Sequence, residues 1–293
     1  MRSLLLLSVL LSLSSAQTKV VLLGTGNPNA NPERMGASIA VIANGRPYLV
    51  DFGPGVARRA SEAFENGIEE LAMPNLVHAF ATHLHSDHTL GLSDLIFTPW
   101  VLDRDQPLEL YGPRGIKAMA RHSLRAYRQD IKIRTTGGQP HNKTGYKVNA
   151  HRIRPGIVLK KDDLTITAFR VNHGKVEEAY GYKFEIGDKT IVISGDASPS
   201  ESIVEQCNGC DMLFHEVYSL EKFQLRPPEW KAYHSTYHTS TEELADIANR
   251  AKPKRLILYH QIFWGATEEE ILKEIHDYYS GVVISGKDLD VFE

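Results

Sequence analysis

The stretch Thr82-His83-Leu84-His85-Ser86-Asp87-His88-Thr89-Leu90-Gly91 constrains this chain more than any other. It gathers four potential metal ligands, His83, His85, Asp87 and His88, within six residues. They follow directly on the apolar run at 76–81, which reads as a buried strand. His83 and His85 are two apart, so in extended backbone they project to one side and can share a metal ion. Asp87 and His88 are adjacent where the chain is expected to turn into a helix, and their side chains diverge. One loop can therefore feed two metal centres. Imidazole and carboxylate without thiolate suit Zn²⁺ with positions left open for water, and Mn²⁺ or Fe²⁺ are the other candidates.

A chain of 293 residues can bury a full core and fits one large α/β domain. Its net charge of -3 supplies no basic field to draw in nucleic acid. Residues 1–16 read as a secretory signal peptide, with Arg2 as the positive start and Ser14-Ser15-Ala16 as the cleavage site. The apolar run between them is short for a bilayer span; the alternative is an uncleaved N-terminal anchor. The mature domain is then 17–293, and the protein is expected to be exported, to a periplasm or beyond the cell. In that setting Cys207 and Cys210 read as a small loop staple or two free thiols, with no further ligands nearby for zinc. Asn142-Lys143-Thr144 is a glycosylation sequon, relevant in a eukaryotic secretory pathway.

Residues 18–26 read as a strand entering a Gly-rich turn whose glycines permit a sharp bend; no phosphate-loop pattern completes it. Segments 37–41 and 46–50 form a hairpin about Asn44-Gly45. Asp51 ends that hairpin and is expected to orient a ligand or the loop backbone. Helices are predicted at 56–65, 92–102 and, with a basic face, 114–129, while 137–161 is irregular and strand-like. Strand alternation returns at 164–171, and 180–186 with 190–193 reads as a hairpin. Helices at 200–206, 241–251 and 268–279 then alternate with strands at 211–215, 255–259 and 282–284. Strands first and a helix pair after them, twice over, predict two β-then-α halves stacked as a four-layer αββα sandwich.

In the second half His173, Asp196, His215 and His260 each follow an apolar strand, and strand ends are where active sites gather in layered α/β folds. Together with the His loop, they resemble the signature of the metallo-β-lactamase superfamily. That pattern selects His173, Asp196 and His260. It implies His83, His85 and His173 on one metal, Asp87, His88 and His260 on the other, and Asp196 bridging. His85 stands where the flavo-diiron members carry Glu, which favours hydrolysis over redox chemistry. Two ions held this way acidify water and polarise a scissile bond together, and Asp87 could orient that water or take its proton.

Within the superfamily, Phe214-His215-Glu216 and the segment Tyr237-His238-Thr239-Ser240-Thr241 resemble the ribonuclease Z-like branch. Leu23-Gly24-Thr25-Gly26 and Asp51-Phe52-Gly53-Pro54-Gly55 resemble its N-terminal pattern. The resemblance implies that His238 meets the scissile group and that Glu216 holds its imidazole charged and oriented, with His234 as a rival. It also implies two Zn²⁺ ions and a homodimer. Short-form ribonuclease Z enzymes carry a long arm between the third His and the bridging Asp, with which they grip transfer RNA. Here 173–196 is filled by a hairpin. The expected partner is therefore a small-molecule ester, with no strong nucleic-acid binding and no membrane after signal cleavage. The aromatic residues of 218–237 and Phe263-Trp264 either line a pocket for an apolar or planar leaving group or pin a long loop as a mini-core. The expectation is an exported binuclear zinc hydrolase of a phosphodiester or sulfate ester. Alternatives are a lactonase or β-lactamase-type hydrolase, against which Glu216 and His238 argue, and a non-catalytic metal-binding module.

Overall fold

The computed structural model describes residues 18–138 and 142–293, so the expected leader at 1–16 lies outside the described residues. The N-terminal half runs β1 (Lys19–Gly24), β2 (Ser38–Ala43), β3 (Arg46–Val50), α1 (Val56–Glu65), β4 (His78–Phe80), α2 (Ser86–Thr89) and α3 (Leu92–Val101). It closes with β5 (Leu108–Gly112), α4 (Ile116–Ala126), α5 (Arg128–Thr136) and β6 (Val148–Arg152). The C-terminal half runs β7 (Gly156–Lys161), β8 (Leu164–Arg170), β9 (Tyr180–Ile186), β10 (Lys189–Ile193), α6 (Glu201–Cys207) and β11 (Met212–Tyr218). Then come α7 (Leu220–Phe223), α8 (Pro228–Tyr237), α9 (Thr241–Ala251), β12 (Arg255–Ile262), α10 (Glu268–His276), β13 (Val283–Ser285) and β14 (Val291–Phe292). Among the described residues no helix is long and apolar enough to cross a membrane.

Period-two alternation sends successive side chains to opposite faces of a strand, and both sheets bury both faces. Val20 and Leu22 of β1 pack between the sheets with Phe80, Tyr182, Phe184 and Ile257. Val21 and Leu23 pack outward with residues of α1, α3 and α4. On the far side, Val192, Leu213 and Leu256 pack under α6, α9 and α10. Three apolar layers between four layers of structure make the αββα sandwich that the segment order predicts. The sheets run β14-β1-β2-β3-β4-β5-β6 and β13-β12-β11-β10-β9-β8-β7. Strands β3 and β4 are parallel, and β8, β10, β11 and β12 share one direction, so all their C-terminal ends reach one rim of the sandwich.

Several local expectations change. Gly24 and Gly26 serve close approach rather than a bend: a Cβ on Gly24 would lie 1.9 Å from the Gly36 carbonyl oxygen. The helix expected at 114–129 is two, α4 and α5, broken at Tyr127, and α5 buries no residue fully, meeting the core through the partly buried Ile131. The two-residue β14, too short to show a period, returns the C-terminus to the first sheet beside β1. Cys207 and Cys210 are joined by a disulfide and buried. The sequon residue Asn142 is engaged in the fold: its Nδ2 donates to the Arg104 carbonyl (3.0 Å) and its Oδ1 accepts from the Gly145 N–H (2.7 Å).

Gly53 lies directly behind the His loop, where an added Cβ would meet the Asp87 carbonyl oxygen at 2.3 Å. Both partners there are backbone, so neither can rotate away. Gly53→Ala should cost about 3 kcal/mol, the upper end for overpacking, and lower Tm by roughly 6–12 °C in a thermal melt. A shift within a degree would show that the backbone behind the loop yields freely.

Candidate active site

Asp51 ends β3 in a left-handed backbone conformation (φ 60°), unusual for a residue with a Cβ, and its N–H is fixed to the Phe80 carbonyl at 2.8 Å. The turn aims a fully buried carboxylate into the loop after β4. Oδ1 accepts from the Thr82 N–H, and Oδ2 accepts from Thr82 Oγ1 and His88 Nδ1, all at 2.8 Å. Thr82 Oγ1, having donated to Asp51, accepts from His83 Nδ1 at 3.0 Å. One carboxylate thus sets the tautomers of two histidines, leaving His83 Nε2 and His88 Nε2 as buried atoms without hydrogen-bond partners. The expected supporting role of Asp51 stands on these bonds.

The second sheet brings the distant residues to the same rim. His173 follows β8, and its Nδ1 donates to the Tyr237 carbonyl (2.8 Å), which turns Nε2 to within 3.3 Å of His85 Nδ1. Asp196 follows β10 after Gly195. His260 lies in β12 where two residues face one of β11, a bulge that rotates its side chain, with φ at 46°. His260 Nε2 is 3.1 Å from Asp87 Oδ2 and 3.5 Å from Asp196 Oδ2, and His88 Nε2 is 3.3 Å from Asp196 Oδ1.

The ligand atoms of His83, His85 and His173 form one group within 4.8 Å, and those of Asp87, His88, Asp196 and His260 form another. Burial pushes the imidazoles of His83 and His173 down, His173 to about 4, so both offer neutral lone pairs. Burial would raise Asp196, yet the neighbouring His260 and His88 outweigh it and keep the carboxyl well below its usual range. Its negative charge is also felt at His83, His85 and His173, as a residue between two centres requires. Neutral imidazoles at His83 and His173 beside the buried Asp196 fit a divalent cation, and at His88 and His260, which Asp196 pushes up against their burial, a cation would take the place of a proton. His215, the remaining strand-end residue, joins neither group; its Nδ1 donates to the Glu216 carbonyl at 2.6 Å.

Glu216 Oε1 lies 3.1 Å from His238 Nδ1 and also accepts from the Ala197 and Thr239 N–H groups (3.2 and 3.3 Å). His238 is brought there because Thr239 docks between strand ends: its carbonyl accepts from the Tyr218 N–H, and its hydroxyl donates to the Ala197 carbonyl. The pairing is as expected, but the charge is not. Burial, reinforced by Asp196, pushes Glu216 well up, and burial pushes His238 down to about 4. Burial at both groups thus favours an uncharged carboxyl beside an uncharged imidazole in the metal-free protein.

Residues 46–261 match the family described as Beta-lactamase superfamily domain. The chain belongs to the metallo-β-lactamase superfamily. It is 33% identical to the ribonuclease Z of Mycobacterium sp. (strain KMS) over 248 residues, covering 83% of this chain and 84% of the relative. Two solved structures share the fold at TM-scores of 0.70: the metallo-β-lactamase fold protein YhfI from Bacillus subtilis and the short form of human tRNase Z. Each is 20% identical and covers 94% of this chain and 98% of its own. Within the superfamily, the chain falls in the ribonuclease Z-like branch.

This metallo-β-lactamase fold carries an insert between β11 and α9 whose structure was not legible as a helix beforehand. Pro227-Pro228 opens α8, and Trp230, Tyr233, His234 and Tyr237 fall at i, i+3, i+4 and i+7, the periodicity that could have revealed it. The two readings of the aromatic residues divide between them. Tyr218, Phe223 and Trp264 pack together at centroid distances of 5.0–6.4 Å, whereas Trp230 and Tyr233, joined by Trp264, line a cavity of about 740 Å³ above the His and Asp residues. His234, the rival to His238, lines the cavity too, but its Nδ1 is spent on the Trp230 carbonyl and no carboxylate holds it. Glu274 of α10 clamps both ends of the insert, accepting from Ser219 Oγ (2.6 Å), the Leu220 N–H (2.7 Å) and Thr241 Oγ1 (2.6 Å).

Two outcomes follow from this geometry. Asp51→Asn keeps the shape but puts an amide where two donors now point, so metal affinity should fall about 10- to 100-fold in a chelator competition. Unchanged affinity would remove Asp51 from its orienting role. In the metal-free protein, His173, His215 and His238 sit at about 4 against 6.5 in the unfolded chain. Between those values the unfolded chain binds more protons, so their stabilisation is complete above about 6.5 and is lost as pH falls toward 4. Each contributes a slope of up to about 1.4 kcal/mol per pH unit, readable by urea unfolding at pH 7 and pH 5. His88 and His260, raised by Asp196 against their burial, act with the opposite sign and above that window. Glu216, raised by its burial, acts with the opposite sign within it; the three imidazoles outnumber that one carboxyl, so the net change from pH 7 to pH 5 is still a loss. Stability that is flat or rising from pH 7 to pH 5 would contradict the neutral assignment.

Proposed function

We propose that the chain is an exported hydrolase that takes two divalent cations, Zn²⁺ first among them, and cleaves a phosphodiester or sulfate ester of a small molecule. The observation that carries this reading is the convergence on one cavity of two His/Asp groups and a separately paired Glu216–His238 couple. His83, His85 and His173 would hold one ion and Asp87, His88 and His260 the other, with Asp196 shared. When bound, the ions would supply Lewis acidity, acidifying a water and drawing charge from the ester oxygens.

The chain's own groups supply the rest. Asp87 orients the attacking water or takes its proton. His238 donates from Nε2 to a non-bridging oxygen or to the leaving group, and Glu216 returns the proton through Nδ1. A lactonase or a non-catalytic metal module has no use for such a couple. Export is supported by the leader pattern and by the disulfide between Cys207 and Cys210.

A phosphodiester within nucleic acid is the second reading, favoured by the name of the mycobacterial relative. Against it stand the net charge of -3 and the β9–β10 hairpin, which occupies the interval between His173 and Asp196 where a gripping arm would emerge. Binding of transfer RNA should accordingly be weak and lost at moderate salt. Site-specific cleavage of a precursor transfer RNA at physiological salt would establish the nucleic-acid reading instead.

The deciding experiment pairs metal analysis with turnover of nitrophenyl phosphodiesters, phosphomonoesters, sulfates and a lactone. About two ions per chain are expected. His238→Ala should keep both and lower kcat roughly 10²- to 10⁴-fold, with the loss shrinking for good leaving groups. Glu216→Gln should cost less, and the double variant little more than His238→Ala, since the two act as a unit. His260→Ala should instead deplete metal. Metal loss in His238→Ala would make it a ligand, and full activity on a poor leaving group would pass the role to His234.

A further inference from the structure

The cavity above the rim is far larger than an ester linkage requires, and its outer wall is built from the insert rather than from the sandwich. Trp230 is 49% and Tyr233 38% exposed, a large apolar area left open beside neighbours that found partners. Their rings are not loose. Tyr233 stacks on Tyr237 at 4.5 Å, Trp230 meets Tyr233 near-perpendicular at 6.0 Å, and His234 stands edge-on to Trp264 at 4.5 Å. The Glu274 clamp holds both ends of the segment. Rigid rings with open faces bind a flat partner at little ordering cost.

The same wall carries Arg226, stacked over Trp264 at 5.5 Å. Its Nε is buried without a hydrogen-bond partner, and among the described residues no carboxylate reaches it as an ion pair. Glu229 lines the cavity as well but does not pair with it. A partly buried guanidinium facing a cavity, with donors unspent, is arranged for an anionic acceptor that arrives with the ligand.

We propose that the insert forms a subsite for a planar aromatic ring bearing an anionic group, the ring on Trp230 and Tyr233 and the anion on Arg226. Resting on the hydrolase reading, this makes the substrate an aryl ester with a charge remote from the scissile bond. The chain selects by ring and charge, and the metal-ligand rim does not need to.

The test titrates the metal-loaded protein, by tryptophan fluorescence and calorimetry, with 2-naphthalenesulfonate, 2-naphthalenemethanol and cyclohexanesulfonate. The planar anion should bind about tenfold tighter than either comparison compound, a stacking contact and a charge-assisted bond each being worth about that factor. Trp230→Ala should erase most of its advantage over cyclohexanesulfonate, and Arg226→Gln most of its advantage over naphthalenemethanol. Trp230→Leu serves if the alanine variant does not fold, and metal content checks the rim in each variant. Equal binding of the three compounds overturns the proposal, as does a sulfonate preference that survives Arg226→Gln, since the anion then belongs to the metals. Discrimination without hydrolysis of any ester keeps the subsite and removes the hydrolase reading. Hydrolysis without discrimination does the reverse.

Discussion

A single buried carboxylate organises this molecule's chemistry. Asp51 takes up three hydrogen bonds on two oxygens, and its influence reaches His88 directly and His83 through Thr82. Burying an ionised carboxyl is costly unless every lone pair facing the protein is met, and a left-handed φ adds about another 1–2 kcal/mol. The return is directional. Both imidazoles are held through Nδ1, so the Nε2 of each faces the candidate ligand groups and the loop's geometry is set before a cation arrives.

The sandwich delivers the other partners by strand direction. Because β8, β10, β11 and β12 run the same way and the loop after β4 meets them at their C-terminal rim, His173, Asp196, Glu216 and His260 need no long connecting loops. Direct bonds seal the join: Tyr182 donates to the Ala81 carbonyl at 2.7 Å, and the Tyr180 N–H donates to the Thr82 carbonyl at 3.0 Å. The bulge at His260 then makes the last correction in aim. The candidate metal-binding groups thus sit at the ends of packed strands, while part of the cavity wall rests on the segment between β11 and α9, tied to α10 through Glu274.

Burial has opposite consequences at the two parts of the site. At His83 and His173 it removes a proton that would block metal binding. At Glu216 and His238 it opposes the charged pair that residue type alone suggests. An uncharged couple that gives up one proton at His238 Nε2 and refills Nδ1 from Glu216 is left with one negative charge, and that charge falls on a carboxylate oxygen already met by the Ala197 and Thr239 N–H groups.

Much of this was legible along the chain, because local signals need only local order. The spacing of His83, His85, Asp87 and His88 pointed to a candidate metal-binding loop, the apolar run of β1 and the alternation of β8 marked strands, and the periodicity at 241–251 marked α9, which the structure opens with a capping box between Ser240 and Glu243. The strand-end positions of His173, Asp196 and His260 placed them in order, though not in space. What tertiary structure alone decided depends on atoms far apart in sequence. The Asp51–His88 bond spans 37 residues and the Asp87–His260 contact 173, so neither leaves a local pattern. The same holds for the neutrality of Glu216 and His238 and for the open faces of Trp230 and Tyr233. Protonation and exposure are set by how completely other elements exclude water from a group, and no stretch of sequence carries that until the sheets close over it.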